Sequence, residues 1–419
     1  MYNNMRNKIS ISTLFVATIL LLCGCNESYI SPEYPTHYEN TDFESVIDSV
    51  PIVIAMSDPN YTTITPTRGM GAIVSDIPEN RESATFYVHS FLTNNYKYNK
   101  EIDYRKKYKK EQKEGEVIQC LIGDPDSYKG VPTQLMTNDL LKFTDTNENY
   151  FYNQNDKEYK YNFFAYHIDD AEIIGDGIVA EKDKIRMDIR IDGTQDIIGS
   201  VADITDKQLQ NLDQDKDKLI FANILNKELL YSTLTGHRSI IPVFKAKHHF
   251  VRFVFNMVGE SNNSDSIFIH DLYVMANRDL RFTVAADDFN KLGVEKINEK
   301  KLEEIHLCDD KDDDGGVASL ERYKYSVKPH NKLENLGLGL LLPEREKYDL
   351  YINCAIKKND DTYLDFRVKY ELKNIPFEAG KQYNITLHIY GYQNIKLRMD
   401  GLNWKIESED IPIDEDDLK

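Results

Sequence analysis

Alternation of apolar and polar residues with a period of two is the feature that most limits what this chain can become. Ile185-Arg186-Met187-Asp188-Ile189-Arg190-Ile191-Asp192 sets four apolar side chains against four charged ones. Successive side chains of an extended strand point to opposite faces, so this segment predicts a half-buried strand. The pattern returns at Val251, Phe253, Phe255 and Met257, and at Leu364, Phe366, Val368 and Tyr370. It recurs at Tyr383, Ile385, Leu387 and Ile389, and at Ile395, Leu397 and Met399, which alternate with Lys396 and Arg398. Many short strands with turn signals between them predict an all-β protein built of sandwiches. One helix is expected between Phe289 and His306, where Val294, Ile297, the Lys301 stem and Ile305 follow helical spacing and Leu302 falls off the stripe.

The chain has 419 residues, which at roughly 150 residues per domain gives two to three domains. The strand-rich pattern occurs in two halves that meet near Gly236 to Ile240. With 41% hydrophobic and 29% charged residues the chain is neither collagen-like, disordered nor a polytopic membrane protein. Its formal charge of −19 repels phosphate backbones, which argues against nucleic acid as a partner. A basic run, Arg105-Lys106-Lys107 with Lys109-Lys110 flanked by Tyr104 and Tyr108, could stack on bases. Within so acidic a chain it reads instead as a solvated surface insertion spanning Tyr98 to Glu116.

The N-terminus reads as an export signal. Arg6 and Lys8 precede an apolar run, Ile9 to Leu22, too short to span a bilayer comfortably. The run ends Leu22-Cys23-Gly24-Cys25, which looks like a bacterial lipobox and makes Cys25 the expected lipidated N-terminus; the alternative is an ordinary signal with an incidental cysteine. The expected organisation is a lipoprotein signal peptide at 1–24, a lipidated tether at 25–45, an N-terminal β-sandwich domain at 46–238, a C-terminal one at 239–406 and an acidic tail at 407–419. Ile47 to Met56 is apolar on both alternations, with Ile52, Ile54 and Met56 on one and Val53 and Ala55 on the other. Such a strand is covered on both faces. It is followed by an exposed loop holding Thr65-Pro66-Thr67-Arg68-Gly69. After Cys25 only Cys120, Cys308 and Cys354 remain, too few for a disulfide framework. They read as buried thiols, with a Cys308–Cys354 bridge as the alternative.

Two further constellations carry chemistry. Asp310-Lys311-Asp312-Asp313-Asp314-Gly315 with Glu321 fits the D-x-D-x-D-G calcium loop, in which Asp310, Asp312, Asp314 and Glu321 would converge oxygen ligands on a hard cation. The strand-like Arg322 to Val327 stands where the second helix of an EF-hand should be, and an acidic surface loop would give the same spacing. The run Asp213 to Asp217 lacks the glycine and the closing acid. Apart from this candidate Ca2+ no cofactor is expected. Catalysis is not expected: there is no H-E-x-x-H, no G-x-S-x-G, no P-loop and no dinucleotide fingerprint. His248 and His249, adjacent on a strand, point to opposite faces and cannot chelate one ion together.

Several of these segments together resemble the fimbrillin-like surface lipoproteins of Bacteroidales type. They are the lipobox, the Thr67-Arg68-Gly69 loop, the aromatic strand Tyr161-Asn162-Phe163-Phe164-Ala165-Tyr166, Asp217 to Ala222, Phe244 to Met257, Phe377 to Tyr383 and the single Trp404, in that order. The resemblance implies two transthyretin-like β-sandwich domains in tandem, and a structural subunit or adhesin of a surface pilus at the outer membrane and in fimbriae. It implies assembly with other subunits of the same type, homo- or hetero-polymeric, and a surface receptor. It implies cleavage by an arginine-specific protease at Arg68, with Arg81 a competing site. The cut displaces the strand carrying Ile52, Ile54 and Met56, and a neighbour's C-terminal strand fills the groove. Here the donor would be Gln393 to Ile406, with Ile395, Leu397, Met399, Leu402 and Trp404 as anchors. If that segment is needed in this chain's own second domain, donation fails and the chain is an end or anchor subunit. The alternative function is a monomeric glycan-binding surface lipoprotein presenting tyrosines to sugar rings; a glycosidase with paired carboxylates is a third.

Overall fold

The computed structural model describes residues 50–52, 54–57, 85–93, 102–109, 117–136, 140–144, 150–152, 161–203, 242–260, 267–307, 325–326, 333–344, 347–358, 362–373, 376–391, 394–403 and 411–412. In chain order the strands are β1 (Val50–Pro51), β2 (Ile54–Ser57), β3 (Thr85–Leu92), β4 (Cys120–Ile122), β5 (Val131–Leu135), β6 (Leu140–Phe143), β7 (Phe151–Tyr152), β8 (Tyr161–Ile168), β9 (Glu172–Ala180), β10 (Lys184–Arg190), β11 (Ile197–Asp203), β12 (Val243–Lys245) and β13 (Lys247–His248). They continue as β14 (Val251–Gly259), β15 (Ile267–Ala276), β16 (Asp279–Ala286), β17 (Gly293–Lys296), β18 (Glu303–His306), β19 (Tyr325–Ser326), β20 (Glu334–Leu341), β21 (Lys347–Lys357), β22 (Tyr363–Lys373), β23 (Lys381–Gly391), β24 (Asn394–Asn403) and β25 (Ile411–Pro412). The protein is all-β.

The first sheet closes on itself. Its order is β12-β2-β6-β5-β3-β8-β11, and β11 pairs back to β12 through Ala202 opposite Phe244 and Asp203 opposite Val243. Closing a sheet leaves the seven strands no long unpaired edge. Its interior is a core of Ile54, Met56, Phe86, Val88, Leu135, Leu141, Tyr161, Phe163 and Phe244, among others. β8 is buried on both faces: Tyr161, Phe163 and Ala165 belong to that core, Phe164 and Tyr166 to a second one.

A four-stranded sheet, β17-β16-β10-β9, joins the second core through Ile185, Met187, Ile189 and Phe282, whose ring meets Tyr166 edge-on at 5.7 Å. The alternation expected for Ile185 to Asp192 is realised, with Arg186, Asp188 and Arg190 on the wetter face in a ladder of ion pairs. Two five-stranded sheets, β20-β14-β23-β24-β25 and β18-β15-β21-β22 with β19 on β15, and the two-stranded β1-β7 complete the set among the described residues. The single strand expected from Ile47 to Met56 is therefore split, with Val50–Pro51 pairing with β7 and Ile54–Ser57 lying in the first sheet. Phe253, Phe255, Ile385 and Leu387 of one and Leu272, Val274, Leu350 and Ile352 of the other share the same core. Strands beyond residue 239 also pair with strands before it: β12 closes the first sheet, and β16 runs antiparallel to β10.

The helix expected over Phe289 to His306 is not formed. Asp288 caps a single 3-10 turn, Phe289–Lys291, and the chain then enters β17 through Gly293 at φ +112°. Only glycine adopts that angle without strain, and it stops the helix after one turn. Ile297 is exposed and Ile305 is buried on β18, so the apparent helical stripe faces no common surface.

Candidate functional site: an early strand held inside a closed sheet

β2 sits between two strands that come much later in the chain. On one side it runs parallel to β12, with Ala55 beside Val243, Met56 beside Phe244 and Ser57 beside Lys245. On the other it runs antiparallel to β6, with Ile54 opposite Leu141 and Ala55 opposite Leu140. The Ala55 amide donates to the Pro242 carbonyl at 3.0 Å, and the Ile52 amide to that of Tyr150 at 2.8 Å. Ile54 and Met56 point into the closed sheet and are 0% and 1% exposed; Ala55, on the opposite alternation, is 1% exposed. The two-sided apolarity of the segment is therefore matched by burial on both faces.

β3 follows β2 in sequence but is not its neighbour, because β6 and β5 stand between them. β2 is thus held laterally, by ladder bonds and by the burial of Ile52, Ile54 and Met56, at about 1.5–3 kcal/mol for each large side chain. Withdrawing it would part β6 from β12 by two strand spacings, about 9–10 Å. That slot would be lined by Leu141 and Phe244 and floored by Phe86, Leu135 and Phe163.

The C-terminal strand has a different setting. β24 pairs antiparallel with β23, placing Ile395 opposite Ile389, Leu397 opposite Leu387 and Met399 opposite Ile385. All three are buried in the larger core, while Lys396 and Arg398 face outward. The Tyr370 hydroxyl donates to the Ile395 carbonyl. Leu402 lies within β24, and Ile411–Pro412 add the short β25 beside Asp400 and Gly401. Cys25, Arg68, Arg81, Cys308, Asp310, Asp312, Asp314, Glu321 and Trp404 lie outside the described residues.

Part of the basic run is built into the fold. Tyr104 is fully buried, Arg105 forms a bidentate pair with Asp103, and Lys107 donates to the Asp126 carbonyl while lying over the Tyr128 ring. Cys120 and Cys354 are free buried thiols.

Sequence reasoning missed a buried histidine–aspartate network where β8, β11 and β13 meet. His167 Nε2 lies 2.9 Å from Asp169 Oδ1, the Asp196 amide donates to Asp169 Oδ2 at 2.9 Å, and His248 Nδ1 lies 2.6 Å from Asp196 Oδ2. Burial alone would push the Asp196 carboxyl up, but His248, His167 and the Ile197 amide together hold it below the ordinary carboxylate range. Burial disfavours charge on His167 too, yet its bond to Asp169 leaves its pKa raised. His249 turns to other partners, packs on Phe282 at 5.5 Å, and is driven by burial to about 4. A lone His167-x-Asp169 spacing in the sequence is too common to have marked the network.

Fold and site together define an all-β protein in which β2 completes a closed sheet. No protein-family model matches the chain. No curated protein matches it either. Among solved structures it is similar to one described as a "putative cell adhesion protein" from Bacteroides uniformis, at 9% identity and TM-score 0.41, over 85% of this chain and 98% of that one. A protein of the same description from Bacteroides eggerthii gives 8% identity and TM-score 0.38, over 85% and 97%. The fimbrial anchor protein Mfa2 from Porphyromonas gingivalis gives 11% and 0.29, over 78% and 92%.

Proposed function

We propose that this chain is the accepting end subunit of a bacterial surface fimbria and acts there in cell adhesion. Export as a lipoprotein through Cys25 would carry it to the outer membrane. Cleavage at Arg68 would then release β2 together with the lipid, and a neighbouring subunit's strand would take its place. The observation that carries this reading is the position of β2, buried on both faces between β6 and β12 yet remote in the sheet from the strand that follows it. Ile395, Leu397 and Met399 fill the chain's own core. A subunit whose last strand is so engaged accepts a donor without giving one, which suits the distal end of a filament. The domain reading, two transthyretin-like sandwiches in tandem, belongs to the same proposal, as does calcium at Asp310, Asp312, Asp314 and Glu321.

The glycan-binding alternative needs aromatic faces open to a sugar ring. Tyr273 and Tyr351, opposite each other on β15 and β21, instead stack at 4.9 Å with Arg367 over both, and Tyr273 is 2% exposed, so this pair offers no free aromatic face. The test is to treat the full chain with an arginine-specific endopeptidase in the presence of a labelled peptide of residues 46–57, and to run the mixture unboiled on a denaturing gel. The proposal expects label on the cut chain, lost on boiling, and none on uncut chain. A cut chain that takes up no label contradicts it.

A further inference from the structure

We infer that the slot left by β2 takes the strand of a different protein and rejects the C-terminal strand of a second copy of this chain. The inference rests on the reading that β2 is exchanged. At first sight β24 is an ideal filler, since Ile395-Lys396-Leu397-Arg398-Met399 repeats the large apolar residues of Ile52-Val53-Ile54-Ala55-Met56 at the same alternate positions. The intervening positions decide otherwise. Ala55 is 1% exposed on the face away from the closed-sheet core, so the strand that fits here must be small and apolar where β24 is charged.

In the direction of β2, every register that seats two or more of Ile395, Leu397 and Met399 at the positions of Ile52, Ile54 and Met56 meets this conflict. A strand entering in the direction of β2 with Ile395, Leu397 and Met399 at the positions of Ile52, Ile54 and Met56 brings Arg398 to the place of Ala55. Sliding it by two residues one way brings Lys396 there, and the other way Asp400. A charge placed at a site that now holds a buried methyl group loses its water without a designed partner, and a long side chain must also displace what packs there. In its own sheet β24 meets no such demand, because Lys396 and Arg398 are exposed there. The partner strand is therefore one with large aliphatic residues at three alternate positions and a small uncharged residue between the second and third.

The experiment uses the full chain cut by an arginine-specific endopeptidase. A chain carrying a sequence-specific protease site in place of residues 64–70 supplies the cut if Arg68 resists. Three labelled peptides compete for the slot: residues 46–57, residues 393–406, and residues 393–406 carrying Lys396→Val and Arg398→Ala. The expected result is uptake of the first, at least about 100-fold weaker uptake of the second, and recovery to within about tenfold of the first by the third, as the removal of a buried charge requires. Equal uptake of the first two peptides overturns the selectivity while leaving strand exchange intact. Failure of the doubly substituted peptide to recover also overturns it, since charge is then not the discriminator. Uptake of none of the three removes strand exchange itself, and the inference with it.

Discussion

Individual side chains in β2 hold the closed sheet together by packing. Ile54 is fully buried among Phe86, Leu141 and their neighbours, so Ile54→Ala should cost about 2–5 kcal/mol, read as a lowered urea midpoint. Gly130 has φ +88°, and a Cβ there would come within 2.8 Å of His89 Nε2; Gly130→Ala should therefore lower the thermal midpoint measurably. Buried histidines set the response to acid. His89 and His249 accept a proton only near pH 4, because burial disfavours the charged ring, whereas an unfolded chain takes it up near pH 6.5. Between those values the unfolded state binds more protons, so stability falls as pH falls, by up to about 1.4 kcal/mol per pH unit for each ring. His167 acts in the opposite sense: its pKa is raised, so its contribution is complete below pH 6.5 and fades as pH rises through the folded value. Because His167, and His306 whose pKa its bond to Asp271 likewise raises, have already made their full contribution below pH 6.5, urea midpoints should drop from pH 6.5 toward pH 4, and His89→Leu should make that drop shallower. An unchanged slope in the variant would contradict the assignment.

Among the elements, those with one wet face were the most legible. β10 reads directly from the sequence because Ile185, Met187 and Ile189 face the core while Arg186, Asp188 and Arg190 meet water. β2 was legible for the opposite reason, since apolar residues on both alternations have only a two-sided interior to go to. β17 and β18 were not, because two short strands around a turn carry too few residues to establish a period, and Val294, Ile297 and Ile305 fell into helical spacing by coincidence. The neighbours of β2 were equally hidden. A parallel pairing with Val243 to Lys245 joins segments far apart in sequence and leaves no local signature. The engagement of β24 makes a prediction of its own. A chain ending at Gly391 removes Ile395, Leu397 and Met399 from the larger core and should lose its near-ultraviolet dichroism and cooperative unfolding. A truncated chain that still unfolds cooperatively would mean that β24 is dispensable at home and available to a neighbour.

At the scale of the molecule, composition and alternation fixed an all-β protein, and the order of degenerate motifs suggested a pilus subunit, but neither could reveal that a seven-stranded sheet closes through β11 and β12. Closure is a property of pairings rather than of any segment, and it gives β2 its character as the piece whose loss opens the ring. The most direct test is to lock that piece in place. Ile54 and Leu141 lie directly opposite each other on antiparallel strands, so Ile54→Cys with Leu141→Cys is placed to tie β2 to β6 by a disulfide, which Dithiothreitol would release. The measurement is native mass spectrometry of the cut chain, following replacement of its own N-terminal fragment by an isotope-labelled peptide of residues 46–57. The account predicts replacement in the unlocked chain, none in the oxidised variant, and recovery on reduction. Retention of the native fragment in the unlocked chain, at the same level as in the locked one, would contradict it.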